Sequence, residues 1–200
     1  MGKTRVGLLV VVLASPVLAG AQVHSPSTRE RFGSAVEAQL DSLYAPLVYL
    51  MREDERGTYP SLSVDEKREF LRRFWARRDP TPGTPKNEAE EQFNARLGAV
   101  NRKFAEHGAT EVPGWRSDRG RIYLEYGPPD ITFSRRGMGA TLPYSVWKYT
   151  QGEEHRKYCF VDITGFGNFM LVYSNDPRER SRPDWRRLLG DDGYEAALEF

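Results

Sequence analysis

The sequence predicts an α+β fold in which N-terminal helices pack on one face of a mainly antiparallel C-terminal sheet of about five strands. Up to about residue 104 the apolar residues recur at helical spacing, and after Gly114 they alternate as in strands. The connections between the later strands are short, and short connections force neighbouring strands to pair antiparallel. Helices followed by a run of strands are typical of the α+β class.

The first predicted helix covers residues 35–44, where the apolar residues share one face. They are Val36, Leu40, Leu43 and Tyr44. Pro46 should end this helix, because proline removes a backbone donor that a helix interior needs. The apolar residues 47–51 then predict a short strand or an extended segment.

The second helix begins at a capping box formed by Ser63 and Glu66. Its apolar stripe consists of Phe70, Leu71, Phe74 and Trp75. The helix should stop near Asp79, because Pro80 disfavours helical backbone in the residue before it.

The third helix is predicted to start at Thr84 as the N-cap, with Pro85 in the first helical position. Its apolar side consists of Phe93, Leu97, Val100 and Phe104. Gly108 is the expected C-terminal stop.

Alternation in residues 121–126 predicts the first strand, which a rigid Gly-Pro-Pro-Asp turn at 127–130 would close. Further strands are predicted over residues 131–134, 144–150, 158–164 and 168–174. The last of these is apolar on both faces, which predicts a central position in the sheet. Two short helices, 183–189 and 193–200, should follow, separated by Gly190.

The N-terminus predicts export. Lys3 and Arg5 precede an apolar run at residues 6–14, and Ala19-Gly20-Ala21 matches a cleavage site between Ala21 and Gln22. The apolar run is shorter than the roughly 20 residues that a membrane span needs, although an uncleaved anchor is the alternative. The predicted organisation is a signal peptide at 1–21, a flexible lead-in at 22–34, one domain at 35–176 and Arg-rich C-terminal short helices at 177–200. A secreted or periplasmic location follows.

Charge and motifs exclude several function classes. The formal net charge is +1, and removing residues 1–21, with two cations and no acid, makes it −1, which gives no electrostatic support for nucleic-acid binding. No phosphate loop, zinc-binding pair or nucleophile elbow is present, so neither a cofactor nor a metal is predicted. The single cysteine, Cys159, lies in an apolar strand and is interpreted as a buried small hydrophobe.

Asp118 and Arg119 have two interpretations. As a functional site, they would present a carboxylate and a bidentate cation at the mouth of a cleft. As a structural element, Asp118 would accept backbone N–H groups in the turn before the strand. Arg119 would then pair with a carboxylate such as Asp79 or Asp130.

These residues belong to a larger candidate site. Carboxylates beside rigid turns, with arginines near them in sequence, predict a charge network that ties the helical half to the sheet. Its members are Arg78, Asp79, Asp118, Arg119 and Asp130. Trp115, in the same stretch, either stacks on a ligand or seals an edge of the core.

Two stretches of the chain resemble the GWxTD domain of bacterial secreted proteins. One is Phe74-Trp75 followed by residues 78–85, and the other runs from Pro113-Gly114-Trp115 to residues 127–130, with Asp162 also matching. Ser117 stands where the name-giving motif has threonine, and both residues carry a hydroxyl that can cap or turn the chain. The resemblance implies export and domain identity, and it implies no catalytic residue because the family has no assigned activity.

The expected function is binding or assembly at the cell envelope, with an envelope protein or a glycan as the partner. The competing hypothesis is a periplasmic glycoside hydrolase that uses Glu125 together with Asp118 or Asp130. The two hypotheses differ in one observable: a hydrolase needs two of these carboxylates facing one pocket, whereas a scaffold ties them to backbone donors or arginines.

Overall fold

Helices fill the first half of the described chain and an antiparallel sheet the second half, as predicted. The computed structural model describes residues 32–33, 35–107, 111–137, 141–151 and 155–199. The predicted signal peptide, most of the predicted lead-in and Gly108 lie outside the described residues.

The helical half contains α1 (Glu37–Tyr44), α2 (Val64–Ala76) and α3 (Glu88–Lys103). At the start of α2 the Glu66 carboxylate accepts the Ser63 backbone N–H at 2.8 Å, as the capping box predicts. The three helices bury one apolar cluster, in which Leu40, Leu71 and Phe74 are fully inaccessible to solvent.

The start of α3 corrects a prediction. Its N-cap is Asn87 rather than Thr84. The Asn87 side chain accepts the Glu90 N–H at 3.0 Å and donates to the Trp75 carbonyl at 2.8 Å, so it caps α3 and holds it against α2. The Thr84 hydroxyl instead donates to the carbonyls of Thr81 and Lys86 within the preceding turn.

The apolar residues 47–51 also differ from the prediction. Ala45–Tyr49 forms a 3₁₀ turn, not a strand. Pro46 at its start is compatible with a helical turn because its fixed φ suits that position. Leu47 is thereby buried among the helices, at 2% exposure.

Residues Asp118–Tyr126 form a helix, α4, and not the predicted first strand. Ile122 and Leu124 are both fully buried, but they enter different clusters: Leu124 packs with α1–α3 and Ile122 packs on the sheet. A helix buried on two sides can carry apolar residues two positions apart, and that spacing imitates the alternation of a strand.

The sheet has the strands β1 (Ile131–Arg135), β2 (Tyr144–Tyr149), β3 (Arg156–Asp162) and β4 (Phe169–Ser174), in the order β1-β2-β3-β4 and antiparallel throughout. These four correspond to the last four strands that the sequence predicts. The prediction of a central last strand is wrong, because β4 lies at an edge of the sheet in the described chain.

Both faces of the sheet are covered, which explains why β4 is apolar on both sides. The end of α3 and α4 cover one face, where Trp147, Phe160 and Leu171 pack with Ile122. A C-terminal helix, α5 (Trp185–Leu198), which is interrupted at Gly190 as predicted, covers the other face. Cys159 is buried there, as predicted, and burial raises the pKa of its thiol to about 12.

Candidate functional site

Residues 113–117 lead directly into α4 and contain one tight 3₁₀ turn, Gly114–Arg116. Ser117 follows as the N-cap of α4: its hydroxyl accepts the Gly120 N–H at 3.0 Å and donates to the Gly114 carbonyl at 2.7 Å. The Ser117 side chain is buried at 3% exposure. The hydroxyl at this motif position therefore closes the turn and starts the helix.

The two glycines of this segment allow backbones to touch. A Cβ atom on Gly114 would overlap the Val100 carbonyl of α3, and one on Gly120 would overlap the carbonyl of Gly114. Both neighbours are main-chain atoms, which cannot turn aside as a side chain can. The motif therefore sets the distance between α3, the turn and α4.

Trp115 contributes to the helical core. Its ring is half-buried and meets Tyr49 edge to face, with 6.3 Å between ring centroids. Its backbone N–H donates to the Asn101 side chain at 3.1 Å. The backbone of Trp115 thus holds the turn against α3, while its ring packs against the helical core.

Asp118 ties α4 to the sheet. One carboxylate oxygen accepts the Leu171 N–H of β4 at 2.7 Å, and the other accepts from Arg121 Nε at 3.1 Å. Arg121 also donates to Glu179 at 2.8 Å. The sequence predicted that backbone N–H groups of the adjacent turn would donate to Asp118. In the structure the backbone donor is instead the Leu171 N–H of β4.

Arg119 lies between two aromatic rings. Its guanidinium carbon is 3.8 Å from the Phe169 ring centroid and 5.0 Å from that of Phe104. One terminal nitrogen donates to the Gly167 carbonyl at 3.3 Å. Its Nε is buried and has no hydrogen-bond partner among the described residues.

Arg119 is only partly exposed to solvent. Burial lowers its pKa to about 10, although the nearby carboxylates of Glu106 and Asp162 offset part of this effect. Burial likewise raises the pKa of Glu106. A cation without full solvation and with an unsatisfied N–H gains more from an added anion than a solvated one would.

Asp162 organises the turn that receives Arg119. Its carboxylate accepts the N–H groups of Gly165 at 2.9 Å and Gly167 at 2.7 Å, and the Thr164 hydroxyl at 3.0 Å. The β3–β4 turn is therefore held in a shape that points the Gly167 carbonyl at Arg119.

A cleft of about 380 Å³ opens beside Arg119, where α3 ends and α4 faces β1 and β2. Its described lining contains two cations and no carboxylate. The walls are otherwise aromatic rings, hydroxyls and the two prolines of the Gly-Pro-Pro-Asp turn. The lining residues are Lys103, Phe104, Arg119, Tyr123, Pro128, Pro129, Thr132, Ser134, Ser145 and Trp147.

The other predicted site residues lie elsewhere. Arg78 donates to Glu55 at 2.9 Å and covers the Phe74 ring, while Asp79 accepts the Thr81 N–H at 3.0 Å. Asp130 accepts the Thr150 N–H at 2.6 Å and the Gln151 side-chain amide at 2.7 Å. No ion pair joins Arg119 to Asp79 or Asp130 among the described residues. Only Trp115, Asp118 and Arg119 are brought together, and chain adjacency does that.

The carboxylates of the hydrolase hypothesis do not share the cleft. Asp118 and Asp130 each accept backbone N–H groups. Glu125 accepts from Arg178 at 2.8 Å, and burial raises the pKa of Glu125. In the described chain none of the three lines the cleft beside Arg119.

Sequence reasoning missed a buried acid, Asp176, which is 4% exposed. It accepts from the hydroxyls of Tyr158 at 2.8 Å and Tyr126 at 3.0 Å, and from Arg178 at 2.8 Å. An acid directly after an apolar strand and before Pro177 was the available signal. Its donors, apart from Arg178, come from distant segments, so local spacing did not identify them.

Within the described residues, no group of three or more His, Cys, Asp and Glu side chains is placed to hold a metal ion. In that same part of the chain, no helix has the length and apolarity that crossing a bilayer requires.

The cap at Ser117 gives a direct test of the motif. Ser117→Ala should lower the free energy of unfolding by about 0.5–2 kcal/mol, because the Gly120 N–H loses its acceptor. Ser117→Thr keeps the hydroxyl and should stay closer to the wild type. Urea denaturation of both variants measures the difference, and equal losses would contradict a capping role.

The sequence as a whole was compared with known proteins. A family model described as the GWxTD domain matches residues 18–179, which is more than half of the chain. No curated protein and no solved structure matches the sequence of this chain. The segment with the close glycines, the capping serine, Asp118 and Arg119 is the one that resembles the name-giving motif. The chain belongs to the GWxTD domain family.

Proposed function

We propose that this protein is an exported, non-catalytic binding module of the cell envelope that takes an anionic ligand in the cleft beside Arg119. The observation that carries the proposal is the charge of the cleft, whose described lining has Lys103 and Arg119 but no acid. The N-terminal charges, short apolar run and small-residue site support export.

The cleft supports a ligand with an anionic head and an apolar body. Arg119 offers a planar set of donors in a partly dry site, and such guanidinium groups bind carboxylates or phosphates in a bidentate manner. Phe104, Tyr123 and Trp147 provide an aromatic wall for the body of the ligand. Thr132, Ser134 and Ser145 add hydroxyls along the β1–β2 side, where the Ser134 and Ser145 oxygens are 2.7 Å apart.

The hydrogen-bond partners of the three candidate carboxylates favour a binding function over hydrolysis. A glycosidase needs two carboxyl groups that flank one bond. Asp118 and Asp130 hold backbone donors, and Glu125 is engaged by Arg178. A glycoside hydrolase remains the competing proposal. It requires that the protein hydrolyse a glycoside and that Glu125→Gln abolish this activity.

The test uses a matched pair of probes, benzoate and neutral benzamide, titrated into the ¹⁵N-labelled protein. Benzoate should shift the Trp147 indole N–H and the Arg119 Nε–H signals, and benzamide should shift them much less. Lys103→Gln should weaken benzoate binding about two- to fivefold, the effect of one exposed charge.

Lys86→Gln is the matched control, because Lys86 is an exposed lysine that pairs with Glu91 away from the cleft. It should leave benzoate binding unchanged. Equal shifts with benzoate and benzamide, or equal effects of the two lysine variants, would show that the cleft does not select an anion.

A further inference from the structure

The strand β1 lies at an edge of the sheet that no other described segment of the chain covers. All of its residues are exposed, including the apolar side chains of Ile131 at 51% and Phe133 at 41%. Ile131, Thr132 and Phe133 are residue types that favour strands. Natural edge strands are usually protected by charge, proline, a bulge or a covering segment, and within β1 the only charged residue is the last one, Arg135.

The opposite edge, β4, is closed. The Leu171 N–H is taken by Asp118 at 2.7 Å, and the Val172 carbonyl accepts the Arg182 N–H at 2.8 Å. The Ser174 N–H donates to the Ser181 hydroxyl at 3.2 Å. Other segments of the described chain therefore form hydrogen bonds with backbone groups of β4. No such bonds cover the outer edge of β1 in the described residues.

The register of β1 connects its edge to the cleft. Thr132 pairs with Trp147 and Ser134 with Ser145, and all four line the cleft. Phe133 pairs with Val146 and lies on the other face, with its ring centroid 6.1 Å from that of Tyr144. A strand added beyond β1 would place alternate side chains at the mouth of the cleft and beside the exposed apolar residues.

We infer that β1 receives an extended polypeptide segment with alternating acidic and apolar residues, which adds to the sheet as a further strand. This inference rests on the proposed anion-binding function of the cleft. Acidic side chains would lie at the mouth of the cleft that Lys103 lines, and apolar ones would cover Ile131 and Phe133. Arg136, an exposed cation just after β1, extends the complementary charge. Main-chain hydrogen bonds would provide affinity, and alternate side chains would provide specificity.

The probes are a short fluorescent peptide of alternating glutamate and valine, the lysine–valine counterpart, and two glutamate–valine peptides that are N-methylated at opposite alternate residues. N-methylation removes the donors along one edge of a strand and leaves those on the other edge. The acidic peptide should bind, as measured by fluorescence anisotropy, and the lysine peptide should not. Only one of the two methylation patterns should abolish binding.

The matched variants are Phe133→Glu in β1 and Phe166→Glu in the β3–β4 turn, where Phe166 is 79% exposed. Phe133→Glu should weaken peptide binding about tenfold or more, because it adds a like charge beside the peptide and removes an apolar contact. Phe166→Glu should leave it unchanged. Circular dichroism and the benzoate titration check that both variants are folded.

The outcomes of these experiments distinguish strand addition at β1 from anion binding in the cleft. If benzoate binds but both methylated peptides bind alike, strand addition is wrong and the anion cleft stands. If neither benzoate nor the acidic peptide binds, both proposals are wrong. If sedimentation shows self-association that Phe133→Glu alone abolishes, the occupant is a second copy and the acidic-partner inference is overturned.

Discussion

Gly120→Ala is expected to lower the free energy of unfolding by at least about 3 kcal/mol, the upper end for inserting one methyl group into a packed site. The added Cβ would overlap the Gly114 carbonyl, and it would lie 3.1 Å from the Ser117 hydroxyl that caps α4. Relief would require the turn and α4 to separate. That movement would also disturb the contact between Gly114 and the Val100 carbonyl of α3.

Gly83→Ala is the matched control for this substitution. An added Cβ at Gly83 meets no heavy atom within 4 Å, so the same change in composition carries no packing cost there. Chemical denaturation of both variants gives the comparison. A loss at Gly120 no larger than that at Gly83 would mean that the two backbones are not in contact, and the structural role of the motif would have to be abandoned.

Glu55→Gln is expected to cause the second large loss in the free energy of unfolding, and the size of this loss should depend on pH. Glu55 is buried at 3% exposure and accepts from Arg78 at 2.9 Å and from the Arg52 N–H at 3.0 Å. Hydrogen bonding to Arg78, with a smaller contribution from Arg52, lowers the pKa of Glu55 from 4.5 to about 2. The native state therefore prefers the ionised carboxylate more strongly than the unfolded chain does.

The sign of the pH dependence follows from this lowered pKa. Glu55 contributes about 1–3 kcal/mol of stability at neutral pH, the upper value holding without solvent screening, and that contribution is present above the unfolded pKa. It is lost as the pH falls from 4.5 toward 2. Glu55→Gln should thus be strongly destabilising at pH 7, and its difference from the wild type should shrink steadily as the solution is acidified.

Glu53→Gln provides the control, because Glu53 lies in the same short turn with an exposed side chain. It should cost less than about 0.5 kcal/mol, as exposed substitutions usually do. Urea unfolding at a series of pH values measures both variants. A penalty for Glu55→Gln that is constant with pH would show that the loss comes from packing and not from the charge.

The two predictions concern the two stretches that resemble the family. Arg78 belongs to the first stretch and holds Glu55 beside the helical core, far along the chain from Arg119. Gly114, Ser117 and Gly120 in the second stretch fix the turn from which Arg119 enters the cleft. Several residues of this stretch therefore support the backbone, and Arg119 is its charged residue in the described lining of the cleft, beside Tyr123, Pro128 and Pro129.

Several elements could be predicted from the sequence because their causes are local. The capping box at Ser63 and the stop before Pro80 involve residues within a few positions of each other. The start of α2 is confirmed, and its end at Ala76 lies three residues before the predicted stop near Asp79. The positions of β2, β3 and β4, the burial of Cys159 and the break at Gly190 likewise depend on short-range sequence or on a single residue. Periodicity and backbone preference act over one or two turns of chain.

What only the tertiary structure decided depends on segments that are distant along the chain. Residues 121–126 alternate like a strand, yet they belong to α4 because the helical core packs against Leu124 on one side and the sheet packs against Ile122 on the other. Asp118 meets Leu171 across 53 positions, and Arg119 meets Gly167 across 48. Which donor a carboxylate meets, and whether an arginine lies between two rings, is set by how helices and sheet pack. No local pattern contains that information.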